Sequence, residues 1–134
     1  MKTFIGVKII KAEPQVCPSD RHMSKAGDPG YKVEYEDGYV SWSPKNVFDA
    51  AYRQADSMPF GIAVEAMRKG CKVMRRGWNA GGMHLEIQVP DKHSKMTHPY
   101  LFITVPDCGE GERLLPWQPA QVDIFAEDWQ IVNE

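Results

Sequence analysis

Two short stretches concentrate side chains that could stack on a flat ring and hydrogen-bond a polar or anionic group. The first is Arg75-Arg76-Gly77-Trp78-Asn79-Ala80-Gly81-Gly82. Gly77, Gly81 and Gly82 allow unusual backbone angles and close approach of a ligand. Trp78 offers a flat face for stacking on a base, Asn79 a two-sided amide, and Arg75 a fork suited to phosphate. The same residues also suit a glycine turn with a core tryptophan and a solvated arginine, because buried tryptophans are usually packing residues. The second stretch runs from Leu115 through Pro116, Trp117, Gln118, Pro119, Gln121 and Asp123, followed by Glu127-Asp128-Trp129. Two prolines stiffen a loop presenting Trp117, which lowers the entropy lost on binding. Gln121 and Asp123 have the hydrogen-bonding capacity to read ribose hydroxyls or base edges. A loop whose tryptophans plug the core and whose acids face water has the same composition.

Other chemistry is poorly represented. A basic run, Arg68, Lys69, Lys72, Arg75 and Arg76, gains interest only from its position beside Trp78, since such runs are ordinarily solvated faces. His22, His84, His93 and His98 lack ligand-like spacing, and Cys17, Cys71 and Cys108 are scattered without a Cys-x-x-Cys pair. Neither a metal site, a disulfide framework nor a bound cofactor is expected. There is no Gly-x-Ser-x-Gly, no phosphate loop and no His-x-x-x-His pair. A general acid–base pair would have to be assembled from distant segments, so binding without catalysis is the expectation.

The elements that must position these loops follow from periodicity. Phe4 to Ala12 alternates Ile5, Val7 and Ile9 with polar or small residues, which predicts a half-buried strand. Glu13 to Gly30 reads as a loop. Tyr31 to Tyr35 alternates, Asp37-Gly38 favours a tight turn, and Tyr39 to Trp42 returns as the partner strand. Ser43 is placed to cap a helix beginning at Pro44 and ending near Gln54, with Val47, Phe48, Ala51 and Tyr52 on one face. A second helix starts at Pro59, buries Ile62, Ala63, Ala66 and Met67, and stops at Gly70. The remainder is strand-rich: Lys72 to Arg76, Met83 to Val89, Tyr100 to Val105, Arg113 to Leu115 and Asp128 to Val132. Trp117 to Phe125 is irregular or a single helical turn. The expected class is α+β, a helix packed on an antiparallel β-meander over residues 57–134, preceded by a small strand–hairpin–helix module over residues 1–56.

Composition bounds the partners. With 16 basic and 18 acidic residues the charges nearly cancel, which argues against a protein that coats DNA or RNA. A charged fraction of 25% beside 43% apolar residues reads as globular. Lys8 interrupts the N-terminal apolar run too early for a signal peptide, and no stretch approaches the ~20 apolar residues of a membrane span. A soluble intracellular protein is expected.

The run from Phe60 to Asn79, with Arg-x-Gly-Trp-Asn at its end, resembles the opening of a small phage and prophage domain, the second type of Thoeris anti-defence protein. Pro116-Trp117 with Pro119, Gln121, Asp123 and Ala126-Glu127-Asp128-Trp129 is similar to its ending, in the same order. The resemblance covers about residues 58 to 132. It implies a sponge: a protein that binds a cyclic ADP-ribose isomer made by a TIR-domain immune enzyme and returns it intact. It also implies a homo-oligomer, typically a tetramer, in the cytoplasm of the infected bacterial host. Some related proteins bind cyclic dinucleotides as well. By position, Trp78, Asn79, Trp117, Gln121 and Asp123 inherit the pocket expectation, with Arg75 as the phosphate donor. Two other readings stand beside it: a phosphodiesterase or glycohydrolase degrading the same messenger, and an interaction module blocking a host protein. The N-terminal module is similar to a segment common in phage proteins and carries no assignable activity.

Overall fold

The computed structural model describes residues 1–78, 82–107 and 109–132. The chain divides into two compact units, Met1–Arg53 and Gln54–Glu134.

The first unit is a three-stranded antiparallel sheet in the order β1-β2-β3, built from β1 (Lys11–Pro14), β2 (Gly30–Glu34) and β3 (Val40–Pro44). The loop between β2 and β3 folds back through Gly38 N–H to the Tyr35 carbonyl (2.9 Å), as the Asp-Gly pair predicts. Helix α1 (Lys45–Ala51) follows β3 directly. Its Phe48 stacks on Tyr31 of β2 at 4.1 Å and on Tyr52 at 4.9 Å. Cys17, Val33 and Trp42 are buried here.

Two expectations about this unit are corrected. The apolar alternation at Phe4 to Ile9 forms no strand, and Phe4 and Ile5 are exposed. The strand lies further along, at Lys11–Pro14, where the backbone pairs with β2 in the register Lys11↔Glu34 to Pro14↔Tyr31. Alternation marks a face that could be buried, but backbone pairing decides where a strand is. Pro14 is tolerated because it ends an edge strand, where a missing N–H costs nothing. Ser43 likewise does not cap α1. The capping position is Pro44, without a side-chain cap bond, and the Ser43 hydroxyl lies 3.4 Å from the Pro44 carbonyl.

The second unit is a five-stranded antiparallel sheet in the order β7-β6-β5-β4-β8. Its strands are β4 (Val73–Arg75), β5 (His84–Gln88), β6 (Tyr100–Val105), β7 (Arg113–Pro116) and β8 (Trp129–Ile131). Helix α2 (Phe60–Arg68) packs against β8, β5 and β4, and a four-residue turn of helix, α3 (Gln121–Ile124), precedes the last strand. The α2 boundaries agree with the sequence pattern. Gly70 is in the left-handed region and closes the helix, its N–H bonding the Met67 carbonyl while Cys71 N–H bonds that of Ala66.

Alternation in β5 and β6 puts Leu85, Ile87, Leu101 and Ile103 toward the helix side, in the register Leu85↔Ile103 and Ile87↔Leu101. They join Met58, Ala63, Ala66, Met67, Val73 and Trp129 in one core. The architecture is α+β with antiparallel sheets, as the sequence predicts. No helix among the described residues is long and apolar enough to cross a membrane.

The turn before β7 depends on one carboxylate. Asp107 Oδ1 accepts the N–H of Gly109 (2.8 Å) and of Gly111 (2.7 Å). The Gly109 bond, then the Gly111 bond, hold Asp107 below the usual carboxylate range. A depressed folded pKa contributes order above the ordinary carboxylate value and loses it as pH falls through the depressed one. Amide exchange at Gly109 and Gly111, corrected for the intrinsic pH effect, is therefore expected to lose protection on acidification. The Asp107→Ala variant, which removes the acceptor, should have lost that protection already at neutral pH.

Candidate functional site

Trp78 and Trp117, one from each of the two tryptophan stretches, meet against the core of the second unit. Strand β4 lies between β5 and β8, and its register pairs Arg75 with Trp129. The segment leading to Trp78 leaves the end of β4, with the Trp78 N–H donating to the Arg75 carbonyl at 3.2 Å. Trp117 follows β7 and is tied to β6 by its N–H, which donates to the Leu101 carbonyl at 3.0 Å.

Trp78, Trp117 and Trp129 form a triangle of edge-on contacts. Ring centroids are 6.1 Å apart for Trp78 and Trp117, 5.6 Å for Trp78 and Trp129, and 6.0 Å for Trp117 and Trp129. Edge-to-face packing of this kind sets the positive ring edge against the negative face. Phe60, the first residue of α2, closes the group at 5.2 Å from Trp129 and 6.4 Å from Trp117. Trp129 is fully buried and donates its indole N–H to the Asp123 carbonyl at 2.9 Å. Trp78 and Trp117 are only partly buried, so both pack on the core and keep some surface exposed.

The polar part of the site is an arginine held by two carboxylates. Arg75 Nε and Nη2 donate to Asp128 Oδ1 and Oδ2 at 3.0 and 3.4 Å, and Nη1 donates to Asp123 Oδ1 at 3.1 Å. The side chains of Arg75, Asp123 and Asp128 are 26%, 17% and 31% exposed, which shields the pairs partly from water. Hydrogen bonding to Asp128 pushes Arg75 above its already high range; burial opposes this, and Asp123 adds to it. Asp123 has a further duty, since its Oδ2 accepts the Ala120 N–H at 2.8 Å and so caps α3. Both of its oxygens are therefore in use.

Of the residues singled out in the sequence, the fold brings together Arg75, Trp78, Trp117 and Asp123. Gln121 opens α3 and is exposed beside them in sequence. Asn79 lies outside the described residues. Gly77 has an ordinary φ, whereas Gly82 is at +87°, a conformation that excludes most other residues. The Gly82 carbonyl accepts a hydrogen bond from His84 Nδ1 at 2.7 Å, and His84 Nε2 lies 3.3 Å from Glu86 Oε2. The basic run is largely engaged elsewhere: Arg68 pairs with Glu65 at 3.7 Å, and Arg76 Nη2 donates to the Asp56 carbonyl at 2.7 Å and Ser57 Oγ at 3.1 Å. Among the described residues no group of three His, Cys, Asp or Glu side chains is placed to hold a metal ion.

Three participants were not assigned from the sequence: Phe60, Asp128 and Trp129 as the hub. The adjacency of Asp128 and Trp129 to the Pro-Trp-x-Pro loop was a usable signal. Phe60 carried none, because any apolar residue could open α2.

Comparison with known proteins places the second unit in a family. The sequence profile of the Thoeris anti-defense 2-like domain matches residues 58–132, the stretch that holds both tryptophan loops. A protein named Thoeris anti-defense 2, from Bacillus phage SP01, is 32% identical over 89 residues, covering 57% of this chain and 96% of the relative. The shared part therefore begins where α2 and its sheet begin, and on this evidence the chain belongs to the Thoeris anti-defense 2-like family.

Proposed function

We propose that this protein captures a cyclic ADP-ribose isomer produced by a TIR-domain immune enzyme and withholds it from its effector without cleaving it. The observation that carries the reading is the meeting of Trp78 and Trp117, partly exposed, on a rigid aromatic floor formed by Trp129 and Phe60. Aromatic faces held in place before the ligand arrives reduce the ordering cost of binding. Base stacking on such faces contributes roughly 1–3 kcal/mol per base in single-strand binders. Non-conversion is supported by the carboxylates: Asp123 and Asp128 are both bound by Arg75, which leaves neither poised as a general base. Gln121 and Asn79 remain proposed contacts to the ligand, from their place in the two motifs. The acting species is a homo-oligomer, a tetramer by family resemblance, in the cytoplasm of the infected bacterium.

The test is chemical. Purified protein is incubated with cyclic ADP-ribose isomers, denatured by heat, and the released material analysed. Intact ligand in stoichiometric amount is expected. A linear or cleaved product, turned over beyond one equivalent, would replace capture with phosphodiesterase or glycohydrolase activity. Cyclic dinucleotides belong in the same assay as a second ligand class. Trp78→Ala and Trp117→Ala, each verified as folded, are expected to weaken capture roughly 5- to 150-fold, the range that loss of one stacked base implies. Unchanged binding in either folded variant would remove that residue from the site.

A further inference from the structure

Arg75 was expected to offer its charge to a phosphate. Its surroundings point elsewhere. Three of its N–H directions are taken by Asp128 and Asp123 at 3.0 to 3.4 Å. One cation between two carboxylates leaves the group with a net charge of −1, so a phosphate brought to this guanidinium would meet both acids. The two acids are also far from Arg75 in sequence, by 53 and 48 residues. Each leads straight to an indole. Asp128 precedes Trp129, and Asp123 holds the Ala120 N–H at 2.8 Å, three residues after Trp117, while its carbonyl accepts the Trp129 indole N–H at 2.9 Å. On its own side, the Arg75 carbonyl accepts the Trp78 N–H at 3.2 Å. A single residue thus holds one tryptophan loop by its backbone and the other by its side chain.

We propose that Arg75 is a positioning residue: its two-carboxylate fork fastens the 117–129 segment to β4 and sets the spacing of Trp78 and Trp117, and it does not bind the ligand itself. The functional half of this proposal rests on the capture reading; the structural half does not. A planar fork with several donors is required for the role, and a lysine cannot reproduce it, since an ammonium carries charge without the bidentate geometry.

Two measurements test it. The first needs no ligand. Edge-packed indoles give near-ultraviolet circular dichroism that depends on their mutual orientation. Arg75→Lys, Arg75→Met and Asp128→Asn are expected to lose most of the signal of the tryptophan triangle while keeping the far-ultraviolet spectrum. If Arg75→Met fails to fold, the lysine and asparagine variants decide. A native near-ultraviolet spectrum in Arg75→Lys or Asp128→Asn would overturn the proposal.

The second measurement is calorimetric titration with cyclic ADP-ribose isomers at low and high salt. Arg75→Lys, Asp123→Asn and Asp128→Asn should all bind on the order of tenfold more weakly than wild type, with the wild-type salt dependence retained in Arg75→Lys, which conserves the charge of the group. A phosphate-binding Arg75 makes the opposite prediction: removing a competing carboxylate in Asp123→Asn or Asp128→Asn would tighten binding. Tighter binding in either variant, or wild-type affinity in Arg75→Lys, would overturn the proposal. If the wild-type protein binds none of these nucleotides, the capture reading fails by itself and the spectroscopic result still decides the role of Arg75.

Discussion

Replacing Trp129 with alanine is expected to unfold the second unit or bring it close to unfolding. The side chain is fully buried, touches Phe60, Trp78 and Trp117, and lies in the core with Met58, Ala63 and Leu85. Truncating a buried tryptophan costs about 3–5 kcal/mol through lost transfer energy and the cavity left behind. A domain has only about 5–15 kcal/mol in total, so this single change removes a large part of the margin. The backbone of the same residue also holds the start of the unit, since Met58 and Trp129 exchange N–H to carbonyl bonds at 2.8 and 3.1 Å. Trp129→Phe separates the contributions: it keeps much of the ring contact and strands the Asp123 carbonyl, for a smaller loss of about 1–3 kcal/mol. Urea unfolding checks both. A Trp129→Ala midpoint close to wild type would show that the aromatic floor is not the support of this unit.

The second large effect is expected at Gly30, in the other unit. Its backbone is ordinary in φ, so the demand for glycine is one of space. A Cβ built there would lie 2.3 Å from the Ser43 carbonyl oxygen and 2.3 Å from a ring carbon of Trp42. The carbonyl belongs to the backbone of β3, which pairs with β2 in the register Tyr31↔Ser43, so it cannot step aside without breaking the ladder. The indole is fixed too, donating its N–H to the Gln15 carbonyl at 2.8 Å. Overpacking ordinarily costs 1–3 kcal/mol, and a clash with backbone on one side and a pinned ring on the other puts Gly30→Ala at about 3 kcal/mol or above. Cys17 supplies the readout, being 2% exposed with its thiol donating to the Ser19 carbonyl at 3.1 Å. Thiol labelling resolved by mass spectrometry is expected to become fast at Cys17 in Gly30→Ala. Wild-type protection of Cys17 in that variant would refute the steric argument.

Legibility in the sequence tracked the range of the interaction. Helix α2 was readable because its buried stripe, Ala63, Ala66 and Met67, and its glycine stop are all local. The hairpin around Gly38 was readable for the same reason. The strand at Lys11–Pro14 was not, because its residues are all exposed and only the pairing with β2 defines it. The site followed the same division. Residue types marked Trp78 and Trp117 as aromatic faces, and the fold brings them within 6.1 Å of each other. The engagement of Arg75 by Asp123 and Asp128 was hidden, since it depends on β4 lying beside β8. Nothing within either segment encodes that adjacency.

The adjacency of β4 and β8 also orders events during synthesis. Strands β5, β6 and β7 pair with sequence neighbours and can zip together as they leave the ribosome, because their connections, 89–99 and 106–112, are far shorter than the span between β4 and β8. Strand β4 emerges before them but keeps one side unpaired until β8 arrives, more than 50 residues later by the Arg75↔Trp129 register. Only then do Met58 gain its partner and the three indoles close. A nascent or prematurely terminated chain therefore carries both halves of the aromatic site but no assembled site, with an open strand edge and a core lacking its largest side chain. Such a product is material for proteolysis, and the aromatic triangle exists only once the last strand is complete.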